Sequence, residues 1–360
     1  MKDGLQKSIF LTKVAFGKYR IRMTKVTIID VAKALGTTPS TVSRALAGNP
    51  HVKDSTRRAV QEKAEEMGYE RNIIASNLRR GKAHAVGIVV PRINRTFFST
   101  IISTAEYVLE KAGYSVIICQ SHENEDDEIK ALKTLSGIQV GGLIISHSLG
   151  TKTGDHLAEF AKGGTKLVQF DRVFPGLPGS TVTNDDFEGA YEATMHLIRN
   201  GYKRIGAFTG PLDANMFLNR YNGYKEALSK AGLPIDEDIV FQDTIVRDTG
   251  YSNAAKAVER GCDALYCSGD YSALGAFEYV TGKGLGIPVD FGIVGTANED
   301  FTSLISPSMS SIEQNPAEIG EKAAEALLRL LNDETEGEDI IVKTRLVSRE
   351  SSDRKAGKGR

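Results

Sequence analysis

The sequence is short of cysteine, has no long apolar run and carries no familiar catalytic motif, and each absence narrows what the chain can be. Its three cysteines, Cys119, Cys262 and Cys267, stand in apolar strand-like runs, with no CxxC pair and no clustered histidines. That usage argues against a disulfide framework or a zinc site and fits a reducing cytoplasm. No apolar stretch approaches the roughly 20 residues needed to span a bilayer, so no membrane partner is expected. Residues 1–22 interleave apolar residues with Lys7, Lys13, Lys18, Arg20 and Arg22. Without an unbroken apolar segment they do not read as a secretory signal. They are read instead as a disordered upstream extension, with Met23 as the natural start. GxSxG, HExxH and GxxxxGK[ST] are missing, and no GxGxxG follows a strand. Gly282-Lys283-Gly284-Leu285-Gly286 has the wrong spacing and reads as a loop, and the acidic run Glu123–Glu128 as a solvated helix start. Neither catalysis nor a cofactor is expected.

What is present is an ordinary globular composition, 41% apolar and 25% charged over 360 residues, enough for two or three domains. The net charge of −1 conceals an asymmetry. Residues 1–82 carry 17 Lys+Arg against 7 Asp+Glu, a net of +10, and residues 83–360 carry 28 against 39, a net of −11. A basic head on an acidic body points to a polyanionic partner at one end, or, more blandly, to a solvated basic tail.

The head reads as short helices separated by turn signals. Thr27-Ile28-Ile29-Asp30 has the form of a capping box; Val31, Ala32 and Leu35 mark one helical face, and Gly36 closes it. Thr38-Pro39 restarts a helix with a hydroxyl cap and a proline at the first helical position, where its missing N–H costs nothing. Val42, Ala45 and Leu46 form that helix's inner face. A third helix runs from Asp54 to Met67, with Val60, Ala64 and Met67 inward and Gly68 closing it. The first two match a helix-turn-helix layout. Pro39, Ser40 and Thr41 then stand at the end of the second helix that meets base edges in the major groove. Ser43 and Arg44 follow, able to reach phosphate oxygens or, for Arg44, a guanine edge.

Residues 26–69, VTIIDVAKALGTTPSTVSRALAGNPHVKDSTRRAVQEKAEEMGY, resemble the DNA-binding headpiece of the LacI/GalR family of transcriptional regulators. The following ERNIIASNLRRGKAHAVGIVVP is similar to that family's hinge and entry into its sensor core. Lys53 departs from the family pattern, which often has a capping Ser there; Asp54 or Ser55 is expected to take over. The resemblance implies DNA contacts at Thr27, Thr38, Pro39, Ser40, Thr41, Ser43, Arg44 and Asn49. It also implies a hinge, Asn72–Leu78, that turns helical only where two subunits meet over the minor groove. Leu78 would wedge between base pairs, with Ala75 beside it and Asn72 near the backbone. Unstacking a step costs a few kcal/mol, offset by the contacts a kinked duplex allows.

From residue 85 the pattern changes to β-branched runs alternating with amphipathic helices: 85–91, 114–120, 140–146 and 166–171, then 204–210, 238–243, 264–269 and 291–296. Two such series imply two doubly wound lobes with parallel sheets. The segments 309–315 and 340–347 are expected to pass back between them. This resembles the periplasmic-binding-protein-like core of the same family over residues 84–352. The expected architecture is thus an extension (1–22), an α-helical headpiece (23–70), a hinge (71–82), an α/β core (83–352) and a basic tail (353–360). The lobes are assigned as 83–183 plus 309–332 and 184–308 plus 333–352. Open α/β lobes bind ligands outside the carboxyl ends of their strands, which nominates Asp171, Arg220 and Asp270; the resemblance implies Arg220 foremost, then Asp171, Asp270 and Phe97, with Asn298 a further candidate. Asp171 and Asp185 could equally be structural caps. Ala297 stands where many family members have an aspartate, leaving Asn298 as its substitute.

The resemblance implies a regulator, expected to be a repressor. It would bind pseudo-palindromic double-stranded operator DNA as a homodimer and respond to a small molecule, expected to be a carbohydrate. An exported solute-binding protein would share the core but not the headpiece.

Overall fold

The structure, a computed structural model, describes residues 26–46, 48–69 and 84–354, in two compact units divided after Gly81. The extension 1–22, the hinge residues Asn72, Ala75 and Leu78, and residues 355–360 lie outside the described residues.

The smaller unit is three helices, α1 (Ile28–Ala34), α2 (Pro39–Leu46) and α3 (Asp54–Glu66). Thr27 caps α1 in a full capping box with Asp30, and Gly36 takes the left-handed conformation (φ +61°) that turns the chain towards α2. The core is formed by Val31, Ala32, Val42, Ala45, Val60 and Ala64, with Leu35, Leu46 and Met67 packed against it. All nine were assigned inward from helical spacing. The expected replacement cap for α3 is absent: Lys53 opens that helix without a side-chain cap, and Asp54 pairs with Arg57 at 3.0 Å instead.

The larger unit holds two six-stranded sheets. The first contains β1 (Ala85–Val90), β2 (Ser115–Gln120), β3 (Gly142–Ile145), β4 (Lys166–Phe170), β5 (Ser180–Asn184) and β11 (Asp339–Val342). Its order is β11-β5-β4-β3-β1-β2, and every pairing is parallel. The second contains β6 (Ile205–Phe208), β7 (Val240–Phe241), β8 (Ala264–Cys267), β9 (Gly292–Thr296), β10 (Ser310–Glu313) and β12 (Arg345–Val347). Its order is β12-β10-β9-β8-β6-β7, parallel except for the β10–β12 pair.

Helices α4 (Thr96–Lys111), α5 (Glu125–Ile138), α6 (Asp155–Lys162) and α12 (Pro316–Leu331) serve the first lobe. Helices α7 (Asp186–Arg199), α8 (Asn215–Lys230), α9 (Arg247–Glu259), α10 (Asp270–Gly282) and α11 (Phe301–Leu304) serve the second. Helix α12 shows why such a segment must be covered. Ile319, Ala323, Leu327 and Leu330 recur at helical spacing and are buried in the first lobe's core.

The lobe boundaries differ from those expected. Ser310–Glu313 belongs to the second sheet, because its backbone pairs with β9 and β12, and only α12 and β11 return to the first lobe. The late strand around 340–347 is two strands, one in each sheet, parted at Lys343-Thr344. The chain therefore crosses between lobes three times, after β5, after β10 and after β11. Buried and half-buried polar bonds tie the crossings together. Asn184 Nδ2 donates to Gln314 O (2.9 Å), Gln314 Nε2 donates to Asn184 Oδ1 (3.0 Å), and Thr344 N and Oγ1 donate to Asp185 Oδ1 (3.0 and 2.8 Å). Burial strengthens such pairs and penalises losing either partner.

Candidate DNA interface and ligand cleft

On the headpiece, Thr38 acts as the cap of α2: its Oγ1 accepts from Thr41 N at 3.2 Å and lies 2.9–3.0 Å from the hydroxyls of Thr41 and Ser40. Pro39, Ser40 and Arg44 are exposed, while Thr41 and Ser43 are half-buried. Arg44 Nε donates to Ser40 O at 3.3 Å, lying back along its own helix. Asn49 shapes the following turn, its Oδ1 accepting from His51 N at 2.9 Å. Thr27 remains exposed although its hydroxyl is engaged with Asp30 at 2.6 Å. Arg57 was not singled out from the sequence. Its Nη2 donates to Asn49 O and Val52 O at 3.1 and 3.2 Å, holding the loop after α2 onto α3.

In the larger unit, a cavity of about 150 Å³ opens where the carboxyl ends of both sheets face each other. The loop after β1 and the first turn of α4 contribute Arg92, Arg95, Phe97 and Phe98; the loop after β4 contributes Asp171 and Arg172; the loop after β8 and the first turn of α10 contribute Ser268, Asp270 and Tyr271. These positions follow from topology. β1 connects to β2 on one side and lies against β3 on the other, and β6 stands likewise between β7 and β8, so each sheet opens a crevice at that reversal.

Two of the four carboxylates lining the cleft, Glu123 and Asp270, are fully engaged. Arg172 Nη1 and Nη2 fork onto Glu123 at 2.7 and 3.1 Å, a charge-assisted bidentate pair. The Glu123 carboxyl is held below its ordinary range: the Arg172 charge and the bonds from Arg172 and Leu149 N outweigh burial. Asp171, at φ +60°, is buried and accepts from Ser146 Oγ at 3.4 Å; burial pushes its carboxyl up. Asp270 accepts from Ser311 Oγ (2.7 Å) and Glu299 N (2.8 Å), and burial raises it to about 7.

Of the nominated ligand residues, Phe97, Asp171 and Asp270 line the cavity. Arg220 is buried just behind it on α8. Its Nε donates to Asp186 Oδ1 (2.8 Å) and its Nη1 to Ser268 O (2.9 Å), while Nη2 has no hydrogen-bond partner among the described residues. Desolvation lifts Asp186 to about 6 despite the pairing. Phe217, one turn earlier, lines the cavity in Arg220's place. Asn298 is a correction. Ala297 and Asn298 have positive φ (114° and 51°), and the Asn298 amide is taken up by Glu313 (2.8 Å) and Arg349 (2.7 Å), so Ala297 and Glu299 face the cleft instead. Arg92, Arg95 and Tyr271 were missed because they come together only across the cleft, far apart in sequence.

A helix-turn-helix headpiece and a two-lobed core whose interlobe cavity joins charged and aromatic side chains define a ligand-responsive, DNA-binding transcription regulator. Residues 27–72 match the model of bacterial regulatory proteins of the lacI family, and residues 83–350 match that of periplasmic binding proteins and the sugar-binding domain of the LacI family. Catabolite control protein A of Priestia megaterium is 31% identical over 319 residues, covering 88% of this chain and 96% of that protein. The structure of the transcriptional regulator CelR in complex with cellobiose is similar at 27% identity and a TM-score of 0.69, over 91% of this chain and 99% of that one. The fold also matches the Lac repressor dimer bound to operator and the anti-inducer ONPF (TM-score 0.81, 22% identity, 91% and 99% coverage). The chain belongs to the LacI family of transcription regulators and is not an enzyme. No helix among the described residues is long and apolar enough to cross a membrane.

Proposed function

We propose that this regulator is a cytoplasmic repressor that grips a pseudo-palindromic operator as a homodimer and changes its grip when a sugar or sugar derivative enters the interlobe cleft. The observation that carries the reading is the cavity itself, walled by both lobes and furnished with carboxylates and guanidinium groups that suit hydroxyl-rich ligands. The cellobiose complex of a relative supports the sugar, and the operator-bound Lac repressor dimer supports the assembly. On the DNA side, Pro39, Ser40 and Arg44 read or position the major groove, with Thr27, Thr38, Thr41, Ser43 and Asn49 around them. Asn72, Ala75 and Leu78 engage the minor groove. The effector shifts DNA affinity only by its differential affinity for the lobe arrangements that favour and disfavour the operator.

The test is selection of bound duplexes from a random pool, then titration of the winner against salt and sugars. The expected product is an inverted repeat carrying two chains, with log affinity falling steeply against log salt because several phosphates are neutralised. A single asymmetric site, or a curve flat from low to physiological salt, would overturn the reading. Leu78→Ala should weaken the selected site more than random DNA, and equal losses would remove the wedge.

A further inference from the structure

We infer that the ligand of the cleft is a hydroxylated anion, its carboxylate or phosphate received by Arg95 with Arg92 beside it. This rests on the reading of the cleft as the effector site. The Arg95 guanidinium stands 3.4 Å over the ring centre of Tyr271, reaching from the first lobe to the second. Among the described residues no carboxylate lies within ion-pair distance of it. Arg92 has a single weak pairing there, 3.9 Å from Glu123, whose two oxygens already receive the Arg172 fork. Arg172 Nε, buried in the same wall, makes no hydrogen bond, with Asp171 Oδ2 3.7 Å away.

The balance of unspent groups sets the ligand's chemistry. On the acid side, Glu123 is spent on Arg172 and Leu149 N, and Asp270 on Ser311 and Glu299 N. Glu299 and the Oδ1 of Asp171, whose Oδ2 faces Ser146 and Arg172, remain in the wall to accept from ligand hydroxyls. On the basic side, Arg95 spends only its π-face. A guanidinium stacked on an aromatic ring keeps its in-plane N–H fork, which matches a carboxylate or phosphate bidentately. A neutral sugar would leave the fork of the half-buried Arg95 without a counter-ion, whereas an acidic one supplies it and keeps hydroxyls for the carboxylates. Because Arg95 and Tyr271 belong to different lobes, the same contact lets the anion report on closure.

The experiment is calorimetric titration of the full-length protein with D-glucose, D-galactose and D-ribose, each beside its aldonate and its terminal phosphate, and with D-glucuronate and D-galacturonate. At least one anion should bind at least tenfold more tightly than its neutral parent, and the carboxylate and phosphate arms identify which anionic group is used. Arg95→Gln should weaken that anion roughly 10- to 100-fold, the scale of a lost charge-assisted pair, leave the neutral parent unchanged, and be partly rescued by Arg95→Lys. If neutral sugars bind as tightly as their acids, or Arg95→Gln weakens both alike, the anion assignment falls and the effector cleft stands. If no member of the panel binds while the protein still holds its operator, both fall.

Discussion

Gly295 lies so close against the Asp270 carboxyl that a β-carbon at position 295 would fall 2.0 Å from Oδ1. No side chain fits there without displacing a carboxyl that also receives Ser311 and Glu299 N. Gly295→Ala should therefore destabilise the core by about 1–3 kcal/mol, the cost of disturbing satisfied buried polar groups. Urea unfolding of the full chain checks this, and a midpoint matching the parent's would show that Asp270 swings aside freely.

The raised carboxyls give a pH signature of definite sign. Asp186 and Asp270 titrate near 6 and 7 in the fold, against 3.8 for a free carboxyl. Folding thus favours their protonated forms. Their contribution is fully present below about pH 4 and is lost as pH rises through 6 and 7. Asp270→Asn reproduces the neutral hydrogen-bonding pattern, donating to Ser311 Oγ and accepting from Glu299 N. Relative to the parent it should gain stability between pH 5 and pH 8. A difference in unfolding midpoint that stays constant over that range would contradict the burial argument.

Arg220 and Asp186 should behave as a coupled pair. Arg220→Met leaves a buried carboxylate without its partner, expected to cost about 3–5 kcal/mol. Adding Asp186→Asn should recover a substantial part, so the double variant is more stable than the single one. Operator binding at a temperature where the single variant is folded should persist while the effector response is lost. A variant that still responds normally would place the ligand away from α8.

Arg57 gives the headpiece its own test. Arg57→Met removes the donors to Asn49 O and Val52 O, and should lower operator affinity by loosening the loop that follows α2. It should also cost stability on the order of 1 kcal/mol per lost hydrogen bond. Thr27→Ala breaks the α1 cap, at about 1 kcal/mol, and also removes a hydroxyl proposed to face DNA, so its loss of stability reports on the cap. Thermal unfolding of the two variants, with DNA titrations alongside, separates loop from cap.

What could be read from the chain was whatever local periodicity and turn chemistry dictate. The nine inward residues of the headpiece and the strands that lead to Asp171 and Asp270 follow from spacing alone. β5, Ser-Thr-Val-Thr-Asn, was not recognised as a strand because its buried positions are Ser180, Val182 and Asn184, two of them polar. The two-strand split at Lys343-Thr344 is decided by pairing with partners some 35 and 160 residues away, which no local pattern encodes. Asn298 was misplaced for a similar reason: its neighbours in sequence face the cleft, but two consecutive positive φ angles turn its amide away.

The three crossings have a consequence for how the protein moves and how it can be cut. Three tethers at one joint, clamped by Asn184, Gln314 and Asp185, should confine any movement of the lobes to a door-like rotation, so that closure on a ligand would run along one coordinate. They also make the lobes inseparable. Each needs strands supplied by late excursions of the same chain, so a backbone nick in an outer loop should leave the fragments interlocked and still folded.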